Sequence, residues 1–273
     1  MPDESVLDPQ SPTFTPFVPD WDESDPDISQ STYFGAEHGP QPPPEWVITE
    51  DAAHQIERGL LKTGKEADVH LVERRLGERS NLLAAKRYRS AAHRQFRQDS
   101  HYRRNTGNRR TDLAITKGTP AGMGFRAEQW VANEFDVLGR LWSAGVSVPY
   151  PVQRSGSELM LEYLGDDEAA APRLVHARLA AGQAADLFAQ AVAALRLCAA
   201  QGVVHGDLSP YNMLVRDGRL YLIDFPQAVD PITHPEGLRL LQRDITNLCA
   251  WGRRHGVVCD PGELCAEVMA VIF

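Results

Sequence analysis

The sequence predicts an α+β fold of two lobes, a sheet-based front lobe followed by a mainly helical rear lobe. Three observations lead to this prediction. Short apolar runs with strand character fill parts of residues 59–88 and 152–163. A stretch with helical spacing, residues 126–148, separates these two groups. After residue 183 the apolar residues recur mainly at helical spacing, which favours segregated strands and helices over an alternating βαβ pattern.

The composition is that of an ordinary globular protein. The chain has 273 residues, of which 42% are hydrophobic and 24% charged, enough for one large domain or two small ones. The sequence has no apolar run of the roughly 18 residues that a membrane span needs, and we expect neither a membrane segment nor a signal peptide. The four cysteines form no C-x-x-C pair, which favours reduced thiols and a cytoplasmic location.

Residues 1–45 differ from the remainder of the chain. They contain ten of the nineteen prolines and ten acidic residues but no Lys or Arg. Removing these ten negative charges from the net charge of −9 leaves about +1 for the rest. Because such a segment has little apolar area to offset its ordering entropy, we expect a disordered, acidic, Pro-rich tail. A folded domain should then occupy residues 46–273.

The elements of this domain follow from local patterns. Thr49-Glu50-Asp51 is typical of a helix start and predicts a short helix that ends near Arg58. Apolar runs bounded by turn residues predict the strands, and apolar spacing of three and four predicts the helices. The predicted strands lie within residues 59–61, 67–72, 82–88, 152–154 and 159–163, and the later helices span residues 183–200, about 237–254 and a short C-terminal stretch.

The strongest chemical signal is H-G-D-L-S-P-Y-N at residues 205–212, followed twelve residues after Asn212 by Asp224. Two apolar runs flank the turn Asp217-Gly218 between them and predict a β-hairpin. Phosphoryl transfer requires a carboxylate to orient a hydroxyl, and an amide and a second carboxylate to hold magnesium. We therefore assign Asp207 to the hydroxyl, and Asn212 and Asp224 to the metal. His205 is expected to hold the loop by packing and hydrogen bonding.

Lys86 ends the run L-L-A-A-K, which matches the strand that carries the phosphate-contacting lysine of kinases. A carboxylate on the following helix should hold it, with Glu134 as the first choice and Glu128 as the alternative. Between the first two strands lies K-T-G-K-E-A-D-V with a single glycine, whereas kinase phosphate loops carry three. The Thr63 hydroxyl and the Lys65 ammonium can supply phosphate contacts instead.

Together these segments resemble the RIO family of atypical serine/threonine protein kinases, and the first RIO subfamily in particular. The resemblance is carried by T-G-K-E-A-D-V, A-A-K, A-N-E-F-D-V-L, L-E-Y-L-G, A-P-R-L, H-G-D-L-S-P-Y-N, I-D-F-P-Q-A-V and the later H-P and R-D-I-T-N. It implies a two-lobed protein-kinase-like fold with a truncated C-lobe that lacks an activation segment. The N-lobe would span about residues 46–164 and the C-lobe about 165–273.

The resemblance also implies roles for individual residues. ATP and Mg²⁺, or Mn²⁺ in its place, would be the cofactors, and a protein hydroxyl, including one of its own, the acceptor. Lys86 and Glu134 would form the phosphate-lysine pair, Asp207 would be the catalytic base, and Asn212 and Asp224 the metal ligands. The nucleotide-binding residues would be Thr63, Lys65, Glu66, Val69, Lys86, Glu162, Leu164 and Ser209.

Two other functions share part of this pattern. Small-molecule phosphotransferases of the aminoglycoside-kinase type also carry H-G-D-x-x-x-x-N and a following I-D, and a nucleotide-gated ATPase that acts as an assembly factor is the third possibility. Residues 87–110 contain eight arginines and one acid. This Arg-rich loop is expected either to bind RNA or an acidic protein or to be simply solvated. No membrane partner is expected.

Overall fold

The computed structural model describes residues 27–89, 120–166 and 169–273, without the side chains of 120–126. It contains two sheets and four α-helices, and from residue 59 onwards these elements follow one another in the predicted order. The strands are β1 Ile28–Gln30, β2 Glu37–His38, β3 His54–Thr63, β4 Ala67–Leu76, β5 Arg79–Tyr88, β6 Pro151–Ser155, β7 Glu158–Glu162, β8 Met213–Arg216 and β9 Arg219–Leu222. The helices are α1 Pro120–Ser143, α2 Gln183–Ala200, α3 Gly237–Arg254 and α4 Pro261–Ile272, with a 3₁₀ turn at Pro210–Asn212.

The N-lobe is built on a seven-stranded antiparallel sheet in the order β1-β3-β4-β5-β7-β6-β2. Strand β5 shows why the sheet has two different faces. Leu83 and Ala85 are fully buried and belong to a small apolar cluster, whereas Lys86 and Tyr88 point to the other side, towards α1. Because side chains alternate along a strand, each face of the sheet packs against a different part of the chain.

The small apolar cluster is covered by the N-terminal segment, residues 27–53. Tyr33 and Val47 pack there against Val72, Leu83 and the neighbouring strands. Strand β1 pairs with the start of β3 and strand β2 pairs with β6, so this segment supplies both edge strands of the sheet. The prediction of a disordered tail through residue 45 is therefore wrong for residues 27–45, while residues 1–26 lie outside the described part.

A buried arginine fixes this segment to the sheet. Arg74 is fully buried and donates to the Ile48 carbonyl (3.1 Å) and to the side-chain oxygens of Gln55 (2.9 Å) and Gln153 (2.6 Å). Its guanidinium also lies over the Tyr33 ring, 5.4 Å from the centroid. Burial lowers the pKa of Arg74 to about 10. These long-range contacts order a segment whose composition alone favours disorder.

The short helix predicted for residues 49–58 is also wrong. Ala53 N–H bonds the Glu50 carbonyl (3.0 Å), which closes a turn instead of starting a helix. The chain then enters β3 at His54, where ladder bonds to β1 and β4 satisfy the backbone. The local capping signal was present, but pairing on both sides of the strand outweighed it.

The C-lobe packs α2, α3 and α4 around the β8–β9 hairpin, and its core joins the underside of α1. Leu187 and Leu195 of α2 and Leu241, Leu248 and Trp251 of α3 are among its buried residues. Only residues 225–236 lie between Asp224 and α3, which leaves the lobe short. The structure confirms the predictions for the strands after residue 59, helix α1, the hairpin and helices α2 to α4. No helix within the described ranges is long and apolar enough to span a membrane.

We expect Gly39→Ala to destabilise the protein if residues 27–53 belong to the folded domain. A Cβ at Gly39 would lie 1.8 Å from the Pro151 carbonyl oxygen, so strand β2 would have to move away from β6. Overpacking of this kind costs about 1–3 kcal/mol. Gly35→Ala is the control, because a Cβ there meets nothing within 4 Å. Equal urea midpoints for the two variants would contradict the docking of this segment.

Candidate active site

Lys86 lies at the meeting point of three elements. Its Nζ is 2.8 and 2.9 Å from the two carboxylate oxygens of Glu134 on α1, and 2.6 Å from Asp224 Oδ1 after β9. Of the two carboxylates considered for this lysine, the structure thus places Glu134 in contact with it. One cation therefore links the sheet, the long helix and the end of the hairpin.

The charges in this cluster reinforce one another. Burial acts to lower the pKa of Lys86, but Asp224 and Glu134 outweigh it, so the pKa lies well above the usual value. Burial likewise opposes ionisation of Asp224, but the Lys86 ammonium outweighs it and lowers the pKa of Asp224 to about 2. Lys86 and Asp224 are therefore both charged at neutral pH. Asp224 also has a left-handed backbone, with φ of 71°, which non-glycine residues adopt only where other contacts enforce it.

Glu134 receives two more donors that the sequence did not suggest. The Tyr88 hydroxyl donates to Oε2, and the Phe225 backbone N–H donates to Oε1 at 3.0 Å. The ring of Tyr88 is buried and lies 5.1 Å from Lys86 Nζ. Tyr88 follows Lys86 by two residues on β5, so both side chains project from the same face. That spacing was the one available signal for its role.

The loop that carries Asp207 is held from below by α3. The buried carboxylate of Asp244 accepts from the backbone N–H groups of Gly206 (2.8 Å) and Leu208 (2.9 Å). Arg243 donates to the Gly206 carbonyl, and Asn247 Nδ2 donates to the Leu208 carbonyl at 3.0 Å. The residues R-D-I-T-N were recognised in the sequence without a role, because nothing local connects them to a loop more than thirty residues earlier.

His205 joins the same loop to the end of the hairpin. Its Nε2 is 3.0 Å from the Ile223 carbonyl, and its ring packs on Phe225 with centroids 4.5 Å apart. The residue is buried, which agrees with the expected holding role. Asp207, by contrast, is exposed, so its carboxylate is accessible to a substrate hydroxyl.

Asn212 contacts both Asp207 and the backbone just before Asp224. It ends the 3₁₀ turn, and its Nδ2 donates to the Asp207 carbonyl at 2.8 Å and approaches Asp207 Oδ2 at 3.4 Å. Its own carbonyl accepts from Ile223 N–H at 3.1 Å, one residue before Asp224. Ser209 begins the turn, and its carbonyl accepts from Asn212 N–H at 2.9 Å. These bonds link Asp207 and Asn212 to the residue that precedes Asp224.

The candidate phosphate loop is the tight turn between β3 and β4, which includes Thr63, Lys65 and Glu66. Gly64 N–H bonds the Ala67 carbonyl at 2.9 Å, and a Cβ at Gly64 would lie 2.8 Å from that same oxygen. Glycine is therefore needed at this one position of the turn. Val69, two residues into β4, pairs directly with Lys86.

The candidate hinge lies at the end of β7, where Glu162 and Leu164 connect the lobes. Glu162 is bound to Tyr150 twice, through its backbone N–H (2.8 Å) and through its carboxylate, which accepts from Tyr150 N–H (3.1 Å). Burial raises the pKa of Glu162. Leu164 is buried, and its carbonyl accepts from Ala171 N–H at 2.9 Å. These bonds fix the hinge backbone next to the sheet that carries Lys86.

We expect Asp244→Ala to cost about 2–4 kcal/mol of unfolding free energy, because it leaves two buried N–H groups without an acceptor. Asp260→Ala is a matched control. Asp260 also accepts from two backbone N–H groups, those of Gly262 and Glu263, but at an exposed helix start. Its loss should cost about 1 kcal/mol. Urea unfolding of both variants measures the difference, and equal costs would show that Asp244 does not support the loop.

Comparison with known proteins gives a consistent family. The sequence model of the RIO domain, RIO1, matches residues 69–264. "Serine/threonine-protein kinase RIO1" of Caenorhabditis elegans is 34% identical over 200 residues, which are 73% of this chain and 37% of that protein. "RIO-type serine/threonine-protein kinase Rio1" of Haloferax volcanii is 35% identical over 206 residues, covering 76% of this chain and 66% of the relative.

Solved structures support the fold. The crystal structure of the Rio2 kinase from Chaetomium thermophilum matches with a TM-score of 0.57 at 22% identity, over 78% of this chain and 63% of that one. The predicted two-lobed kinase-like fold is therefore confirmed. The chain spans between about a third and two thirds of the length of the named relatives. Over its matched residues, the chain belongs to the RIO family.

Proposed function

We propose that the chain is an ATP- and magnesium-dependent serine/threonine protein kinase of RIO type, able to phosphorylate a protein hydroxyl, including its own. The observation that carries this proposal is the contact of Lys86 with both Glu134 and Asp224, next to Asp207 and Asn212. Protein kinases require this lysine pairing and this carboxylate for phosphoryl transfer. The names of the relatives agree with the proposal.

The candidate metal ligands fit a magnesium ion that the protein and a nucleotide hold together better than they fit a metal held by protein side chains alone. Asp224 and Asn212 offer hard oxygen atoms, and the Asp224 side chain is 38% exposed. Within the described residues, no group of three or more His, Cys, Asp or Glu could hold an ion. Magnesium is commonly held by one or two carboxylates together with substrate phosphates, so the metal would bind with the nucleotide. When bound, it would neutralise part of the phosphate charge.

The chemistry that we propose for the chain is a direct transfer. The acceptor oxygen forms a bond to the γ-phosphorus of ATP while the bond from that phosphorus to the bridging oxygen of ADP breaks. Asp207 orients the acceptor hydroxyl and takes its proton. Lys86 is expected to hold the phosphates, and Glu134 keeps its ammonium in place.

The remaining candidates would surround the nucleotide. Thr63, Lys65 and Glu66 lie in the turn that would cover the phosphates, and Ser209 lies in the loop beneath it. Val69 shares the cleft face of the sheet with Lys86 and can pack on the base. Backbone groups near Glu162 and Leu164 would bind the adenine edge.

An RNA or acidic partner at residues 87–110 stays a proposal. Of its eight arginines, Arg87 and Arg89 are described, and both are already paired. Arg87 contacts Glu57 and Glu158, and Arg89 contacts Asp68. Any such partner would therefore bind the other six, which lie outside the described residues. The four cysteines are free, which is in keeping with a cytoplasmic location.

We expect Asp207→Asn to reduce phosphoryl transfer by about 10²-fold or more while nucleotide binding persists, because the variant lacks the proton-accepting carboxylate. Asp217→Asn is the control, since Asp217 lies in the β8–β9 turn with a 92% exposed side chain and φ of 52°, which Asn tolerates. Transfer from γ-labelled ATP to the protein itself, to added protein and to small hydroxylated acceptors is measured alongside calorimetric ATP binding.

Each outcome of this assay is informative. Label on protein that disappears in Asp207→Asn supports the kinase. Label on aminoglycoside-like acceptors alone would favour a small-molecule phosphotransferase, and free phosphate alone would favour an ATPase. Unchanged transfer in Asp207→Asn would overturn the assignment of the base.

A further inference from the structure

Two cations that the proposed chemistry does not use face each other across the cleft. Lys62 lies at the end of β3 in the N-lobe, and Arg173 lies in the connection between the hinge and α2 in the C-lobe. Lys62 keeps part of its surface exposed, and Arg173 is half-buried. Within the described part of the chain, neither is paired with a carboxylate at salt-bridge distance.

The sheet register fixes the direction of Lys62. It pairs directly with Val69 on β4, and Val69 pairs directly with Lys86 on β5. Directly paired residues project from the same face of an antiparallel sheet. Lys62 therefore points into the cleft from the same face as Lys86, at a distance of two strands, which is roughly 10 Å.

Arg173 is held rigidly against the catalytic loop. Its Nη1 donates to the Tyr211 carbonyl at 2.6 Å, one residue before Asn212. The backbone around it is fastened to the hairpin, because Leu174 N–H bonds the Met213 carbonyl (2.8 Å) and Val215 N–H bonds the Pro172 carbonyl (3.0 Å). The guanidinium has five N–H donors, so most of them are available to a ligand.

Both cations interact electrostatically with the same carboxylate, that of Asp224. Burial lowers the pKa of Lys62, and Arg173 lowers it further, while Asp224 opposes the shift. Burial also lowers the pKa of Arg173, again opposed by Asp224. Arg173 thus repels Lys62, and an anion placed between the two cations would relieve that repulsion.

We propose that Lys62 and Arg173 form a two-lobed clamp on the phosphate chain of the nucleotide, one cation from each lobe. This inference rests on the proposed function and names two further binding residues for it. A polyphosphate fits the clamp because it carries several negative oxygens, and guanidinium binds such oxygens in a bidentate manner. Because the cations belong to different lobes, phosphate binding would draw the lobes together.

The test is the binding of ATP, adenosine and inorganic tripolyphosphate to Lys62→Gln, Arg173→Gln and the double variant, by calorimetry with the full chain. We expect each single variant to lose about tenfold or more in affinity for ATP and tripolyphosphate, since charge-assisted hydrogen bonds are removed. Adenosine affinity should change less than twofold. Arg178→Gln, an exposed arginine five residues after Arg173, controls for net charge and should bind all three ligands like the wild type.

The double variant decides whether the two residues act together. If both residues bind one ligand, the affinity loss of the double variant should be smaller than the product of the two single-variant losses, because residues that share a ligand are coupled. Multiplicative losses, an unchanged ATP affinity in either single variant, or an equal loss for adenosine would overturn the clamp. Wild-type protein that binds tripolyphosphate but not ATP would refute the proposed kinase and keep the clamp. Binding of neither would refute both.

Discussion

The contact of Lys86 with Glu134 and Asp224 is the constraint on which the rest of the site depends. Buried ion pairs contribute little net stability, because desolvation offsets most of the attraction, but removing one partner is costly. Their value is therefore positional. Strand β5, helix α1 and the end of β9 come from distant parts of the sequence, and one ammonium group requires all three to meet within hydrogen-bonding distance. The cluster has one cation against two carboxylates, so it needs further donors, which Tyr88 and the Phe225 N–H provide.

A second set of contacts gives the opposite lobe a comparable rigidity. Asp244, Arg243 and Asn247 all lie on α3 and bind the backbone of the loop on either side of Asp207. The loop is fixed by backbone bonds, so the Asp207 side chain stays exposed while its position is determined. The segment around Arg173 is hydrogen-bonded to the β8–β9 hairpin. Its guanidinium is thereby held against the Tyr211 carbonyl, next to Asn212.

The sequence was sufficient for the parts of the structure that are specified locally. The spacing of Asp207, Asn212 and Asp224 implies a loop and a hairpin, and apolar periodicity locates α1 to α4. The order of residues 27–45 was missed because the tail to which they were assigned is acidic and rich in proline, whereas their order comes from edge pairing and from the buried Arg74. Tyr88 and Asp244 were missed for a related reason, because each acts through a partner more than thirty residues away. For Tyr88, the two-residue spacing from Lys86 was the one local signal.

The cations of the cleft fall into two groups, one that is paired with carboxylates and one that is not. Lys86 is satisfied by two carboxylates in the interior, whereas Lys62 and Arg173 flank Asp224 without pairing to it. Because Glu134 and Asp224 already pair with Lys86, its ammonium would meet the phosphates in a fixed position. Charge that is desolvated and repelled by a like neighbour has more to gain from an anion. The same carboxylate, Asp224, interacts with both groups, since one oxygen contacts Lys86 and the side chain is still partly exposed. It follows that phosphate oxygens alone would satisfy Lys62 and Arg173, and a hard cation alone would satisfy Asp224. A ligand that combines the two would satisfy all three residues together.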